Sequence, residues 1–158
     1  MNKNFELPED LRYNEGPIAD PNAYFDQSGC ESWLCLTGDE FAKMENGISF
    51  QQVKESTRNC INIISDPPMI LNFDLAQQQV EALDSLPRPT LISCRMGPRS
   101  SAVAYMYAGL KLGINPQEVI VAAEKANAPF VKSEEYKAWV CDSIEALKSK
   151  SMDVKKED

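Results

Sequence analysis

Thr90-Leu91-Ile92-Ser93 limits the folds open to this chain more than any other stretch. Pro87-Arg88-Pro89 precedes it, and the turn Cys94-Arg95-Met96-Gly97-Pro98 follows. A helical pattern then runs from Arg99 to Leu112. A strand-length apolar run that passes through a short turn into a helix reads as part of a β-α-β unit. Such units build parallel sheets with helices on both faces. Ligands of these sheets bind beyond the carboxyl ends of the strands. The turn after Ser93 is therefore where such a fold would carry a site.

The rest of the chain repeats the unit. Trp33-Leu34-Cys35-Leu36, ended by Thr37-Gly38, reads as one buried strand. Cys60-Ile61-Asn62-Ile63-Ile64 reads as another, stopped by Ser65-Asp66-Pro67-Pro68. Asp39 to Met44 fits a helical turn closing at Asn46-Gly47. Ser49 is placed to cap a helix over Phe50 to Thr57. Met69 to Phe73 fits either a loop or a short strand, and Asp74 is placed to cap a helix over Leu75 to Leu86. Gly113 ends the helix that follows the turn. Asn115-Pro116-Gln117-Glu118 then supplies an N-cap, a proline at the first helical position and an acid at the third. A last amphipathic helix starts at Ser133-Glu134-Glu135 and carries Tyr136, Trp139, Val140, Ile144 and Leu147.

The expected fold is α/β: a small, mainly parallel sheet flanked by helices, with three consecutive helices at the C-terminal end. Residues 1–30 are rich in turn signals and read as an extended arm with little regular structure. Phe5, Leu7, Tyr13, Tyr24 and Phe25 would pack that arm on the domain. Residues 31–148 form the expected domain, and 149–158 a charged tail.

Composition removes several kinds of function. The formal net charge of -8 argues against nucleic acid and against an anionic membrane surface as partners. There is no histidine, which excludes Ser-His-Asp and Cys-His machinery and leaves no expected metal site or cofactor. The five cysteines are an odd number with no CxxC pair, the pattern of free thiols in a reducing compartment. Cys35, Cys60 and Cys141 lie in apolar runs and read as small core residues. Met1-Asn2-Lys3-Asn4-Phe5 lacks the apolar segment of a secretory signal, and no run approaches membrane-span length. A cytoplasmic location is expected. Oligomeric state is not written in the sequence.

The turn itself has the parts for chemistry on an oxyanion. A cysteine at a helix N-terminus between cationic side chains is favoured as the thiolate, the nucleophilic form. Turn amides, with Gly97 supplying conformational freedom, make an anion nest. Arg95 and Arg99 add planar forks that fit a tetrahedral oxyanion. The plain alternative is a core cysteine beside two surface arginines. Two cations at a helix N-terminus oppose its dipole, however, and a bound anion removes that cost.

Cys94-Arg95-Met96-Gly97-Pro98-Arg99-Ser100 resembles the active-site loop of cysteine-based phosphatases, and also that of many rhodaneses. Tyrosine and dual-specificity phosphatases place five residues between Cys and Arg; here there are four. The shorter spacing is similar to the Cys-Arg-x-Gly-x-Arg-Ser loop of the beta-lactamase hydrolase-like phosphatase family. Helix after helix beyond Leu112-Gly113-Ile114 is similar to dual-specificity-type phosphatases and unlike a rhodanese. The family usually carries His before the cysteine, where this chain has Ser93.

The resemblance implies hydrolysis of phosphoric monoesters. Cys94 would attack phosphorus and form a thiophosphoryl intermediate. Arg99 and the loop amides would hold the equatorial oxygens, making Arg95, Met96, Gly97, Pro98, Ser100 and Ser101 the substrate-binding set. The Ser100 or Ser101 hydroxyl would bond the thiolate. Asp66 is the first candidate for the acid that protonates the leaving oxygen, and Asp74 the second. A phosphorylated substrate or other small oxyanion is the implied partner. Two other readings use the same loop: a sulfurtransferase carrying a persulfide on Cys94, and a non-catalytic anion- or protein-binding module.

Overall fold

The computed structural model describes residues 5–37, 49–64 and 73–157, with side chains described as far as Lys148. Four strands form one sheet among these residues: β1 (Leu11–Tyr13), β2 (Ser32–Cys35), β3 (Cys60–Asn62) and β4 (Thr90–Ser93). Their order is β1-β4-β2-β3, and every pairing is parallel. The strand that leads into the Cys94 turn is thus flanked on both sides. Leu11 and Ser32 both lie opposite Thr90, and Cys35 lies opposite Ser93.

Helices cover both faces, which is why the strands read as nearly continuous apolar runs. Along β2 and β4 successive side chains alternate between two cores. Trp33, Cys35 and Leu91 pack with Ile18, Phe25 and Val53 from the side of α1 (Pro21–Ser28) and α2 (Phe50–Ser56). Leu34, Leu36 and Ile92 face the larger core. That core is built by α3 (Phe73–Ser85), α4 (Pro98–Leu112), α5 (Pro116–Lys125) and α6 (Glu134–Glu157). On the first face Trp33 stacks on Phe25 with ring centroids 5.1 Å apart. Its indole N–H donates to Ser93 Oγ at 2.7 Å, so the polar atom of a fully buried ring is satisfied.

The helix signals that are local in sequence behave as expected. Ser49 and Gln52 form a reciprocal capping box on α2. Asn115 caps α5 with Pro116 at its first position, and Gly113 ends α4 at φ +69°. The three consecutive C-terminal helices are present, with a 3-10 turn at Pro129–Lys132 between α5 and α6.

Other expectations need correction. Residues 11–28 are not an extended arm: they supply an edge strand and a helix of the fold. Helix α1 is capped by the Asp20 side chain, has Pro21 in its first turn and ends at Gly29 in the left-handed region. Helix α3 starts at Phe73, so Asp74 lies within its first turn, where a carboxylate meets the positive end of the helix dipole. Cys60 and Cys141 are half-buried, whereas Cys35 belongs to the core. Residues 149–157 continue α6. The helical turn expected over Asp39 to Met44 and the segment Ser65 to Asn72 lie outside the described residues.

Helix α4 is the axis of the larger core. Every residue from Ser100 to Gly109 is buried, because β1, β4, α3, α5 and α6 surround it. Gly109 makes the close packing possible: a Cβ there would lie 2.6 Å from Val119 Cγ2 and 3.1 Å from Ile144 Cδ1. Gly109→Ala is expected to lower stability by about 1–3 kcal/mol through overpacking, and urea unfolding would measure it.

Candidate active site

Cys94 is the first residue after β4, at the carboxyl edge of the sheet, and its side chain is 2% exposed. The next three residues form the turn, and Gly97 is the N-cap of α4 with φ +114°. Only a residue without a Cβ fits there. A Cβ on Gly97 would sit 2.5 Å from the Asn14 carbonyl oxygen and 3.1 Å from Pro129 Cγ. Pro98 takes the first helical position, where its missing N–H leaves no orphan donor.

The N-cap residue, Gly97, has no side chain with which to cap α4. The Cys94 sulfur does so instead. The Gly97 amide donates to Sγ at 3.0 Å and the Ser100 amide at 3.4 Å. The sulfur therefore sits at the positive end of a long buried helix, with two backbone donors fixed on it. In the thiol form Sγ donates to Ser100 Oγ at 3.5 Å. Convergent donors of this kind stabilise negative charge on sulfur without any reorganisation.

The loop is held from outside by residues that the sequence reading did not single out. Asn14, directly after β1 and fully buried, bonds both backbone groups of Cys94. Ser93, directly before the cysteine, accepts the Trp33 indole N–H on the other face of the sheet. Asn14 is the side chain that pins the Cys94 backbone. On the far side the Phe130 amide donates to Ser101 Oγ at 3.2 Å, fixing the 3-10 turn against the start of α4. Ser101 thus supports the loop from behind, while Ser100 faces the sulfur.

Arg99 is the second residue of α4 and is half-buried. It lies beside the Tyr136 hydroxyl from the first turn of α6. Burial pushes the Tyr136 phenol up, and the Arg99 guanidinium opposes that rise. Tyr136 was read from its spacing as a core residue; it also borders the site. Arg95 and Met96 are exposed at the outer turn, Met96 by 48%. The structure thus brings Cys94, Gly97, Arg99 and Ser100 together, with Arg95 and Met96 on the rim. Asp74 is exposed in the first turn of α3, and Asp66 lies outside the described residues. Among the described residues no group of three or more Cys, Asp or Glu is arranged to hold a metal ion.

A parallel sheet whose central strand delivers a cysteine to a helix-capping loop with an arginine one turn on is the fold of cysteine-based, protein tyrosine phosphatase-like phosphatases. Solved structures of that class superpose over nearly the whole chain. A Neisseria meningitidis protein provisionally called a phosphatase is 17% identical, with a TM-score of 0.65 over 89% of this chain and 97% of its own. Tk-PTP in its active form is 10% identical, with a TM-score of 0.66 over 85% and 91%. PTPMT1 in complex with PI(5)P is 9% identical, with a TM-score of 0.66 over 93% and 97%. No family model and no curated protein matches the sequence.

Proposed function

We propose that the chain is a cysteine-dependent phosphatase that hydrolyses phosphoric monoesters through a thiophosphoryl-cysteine intermediate. The observation that carries this reading is the Cys94 sulfur seated on the Gly97 and Ser100 amides at the head of α4. Sulfur attacks phosphorus, the ester P–O bond breaks, and an acid protonates the departing oxygen. Water then attacks phosphorus and the S–P electron pair returns to sulfur. Arg99 and the remaining loop donors hold the equatorial oxygens in both steps. Arg95 and Met96, exposed at the rim, meet the part of the substrate beyond the phosphate. The PTPMT1 structure holds a phosphoinositide, which supports a phosphorylated substrate for this scaffold.

A dual-specificity character, accepting phosphate on more than one kind of alcohol, fits a site whose rim residues lie on the surface. The lack of a helix apolar enough to cross a membrane, among the described residues, supports action on substrates reached from water. Acid quenching during turnover of an aryl phosphate tests the mechanism. Phosphate covalently bound to Cys94 is the expected result, and persulfide formation with thiosulfate alone would replace this reading by sulfur transfer.

Asp66 is the first choice for the acid, since it comes shortly after β3 in the sequence and β3 runs parallel to β4, and Asp74 is the second. Asp66→Asn is expected to lower kcat by about 10²–10⁴-fold on an alkyl phosphate. The loss should be much smaller on an aryl phosphate, whose leaving group needs no proton. The same contrast in Asp74→Asn would move the role to Asp74.

A further inference from the structure

Tyr136 stands in the first turn of α6, with its ring in the larger core and only 7% of the residue exposed. Its place relative to α4 is set by a chain of hydrogen bonds that does not pass through Arg99. The Phe130 amide donates to Ser101 Oγ at 3.2 Å, and the Ser133 amide to the Phe130 carbonyl at 3.0 Å. The Tyr136 amide donates in turn to Ser133 Oγ at 3.3 Å. The phenol is thus fixed to the head of the helix that carries the arginine. Its hydroxyl accepts a hydrogen bond from the half-buried Arg99 guanidinium and lies within electrostatic reach of the Cys94 sulfur.

We propose that Tyr136 is a positioning residue that holds the Arg99 guanidinium in the orientation from which it clamps an oxyanion seated over Cys94. The proposal rests on the phosphatase reading of the loop. An arginine side chain gives up rotamer freedom when it clamps a ligand, and one that is already held gives up less. The phenol oxygen takes one of five N–H donors and leaves the others for the oxyanion. A carboxylate in its place would neutralise the fork. The phenol holds it without cancelling its charge, and burial, which pushes the phenol up, keeps the hydroxyl protonated. That proton stays on its oxygen through both chemical steps.

Calorimetric titration with inorganic phosphate reads the clamp without requiring turnover. Tyr136→Phe removes one oxygen and keeps the buried ring. Affinity should fall by about tenfold, the weight of one hydrogen bond to a charged group. In an Arg99→Ala background the same substitution should change affinity by less than about twofold, because the hydroxyl then has no fork to hold. A merely structural hydroxyl would give the same factor in both backgrounds, or none in either, and each of those results overturns the proposal.

Phenylglyoxal labelling of Arg99, located by peptide mass, reads the fork with no anion present. Labelling should be severalfold faster in Tyr136→Phe than in the parent. An unchanged rate overturns the assignment even where phosphate binds too weakly to titrate. The expected labelling and coupling in a protein that does not turn over an aryl phosphate would remove the phosphatase reading and leave Tyr136 as the anchor of Arg99.

Discussion

Cys94→Ser is expected to reduce hydrolysis of an aryl phosphate by at least about a thousandfold, as loss of a covalent nucleophile does elsewhere. Affinity for phosphate should change little. The substituted side chain is nearly the same size, and the Gly97 and Ser100 amides that face it belong to the backbone. The serine hydroxyl would accept those amides but would not be ionised at neutral pH, so binding and chemistry separate. Arg99→Ala should do the opposite, weakening oxyanion binding and lowering kcat by about 10²–10³-fold, the usual cost of one preorganised donor. Arg99→Lys should recover little, because a single ammonium does not reproduce the planar fork. Calorimetric titration with phosphate, together with steady-state kinetics, checks all three. A Cys94→Ser protein with more than a few per cent of parental activity would mean that the sulfur is not the nucleophile.

Gly97→Ala should damage fold and function together. The new Cβ would sit within overlap distance of the Asn14 carbonyl, and φ +114° is a backbone state that L side chains rarely adopt. The chain can relieve both only by moving the loop away from β1, which pulls the Cys94 amide from Asn14. A stability loss of about 2–4 kcal/mol is expected from strain plus the broken buried bonds, with vanadate affinity down by at least about tenfold. Thermal unfolding with and without vanadate measures both. Anion binding that survives at parental strength would show that the cradle does not depend on this backbone state.

What could be read from the sequence was local. Cys94 to Ser101 is a continuous stretch, so its chemistry is visible as a string, and the caps at Ser49, Asn115 and Gly113 are decided by neighbours within a turn. Strand β1 was not legible because three residues, Leu11-Arg12-Tyr13, are too few for an alternation to show. It is a strand because β4 lies beside it. Helix α1 is a different case. Asp20, Pro21 and Gly29 are ordinary start and stop signals that were absorbed into a general impression of turns. Asn14 could not have been found, since its partners are 80 and 86 residues further along. Trp33 and Ser93 meet across 60 residues in the same way.

The pairing of β1 with β4 also fixes when the protein becomes competent. Chains are made from the N-terminal end, and β1 has no neighbour in the sheet until residues 90–93 have been made. Cys94 appears at the same late moment, and its amide meets Asn14 only as the two ends of that long span close. A nascent chain holding Cys94 but lacking this closure has a cysteine whose backbone is not yet held by Asn14. Completion of the sheet and fixing of the Cys94 backbone are therefore one event, which waits until about three-fifths of the polypeptide has been made.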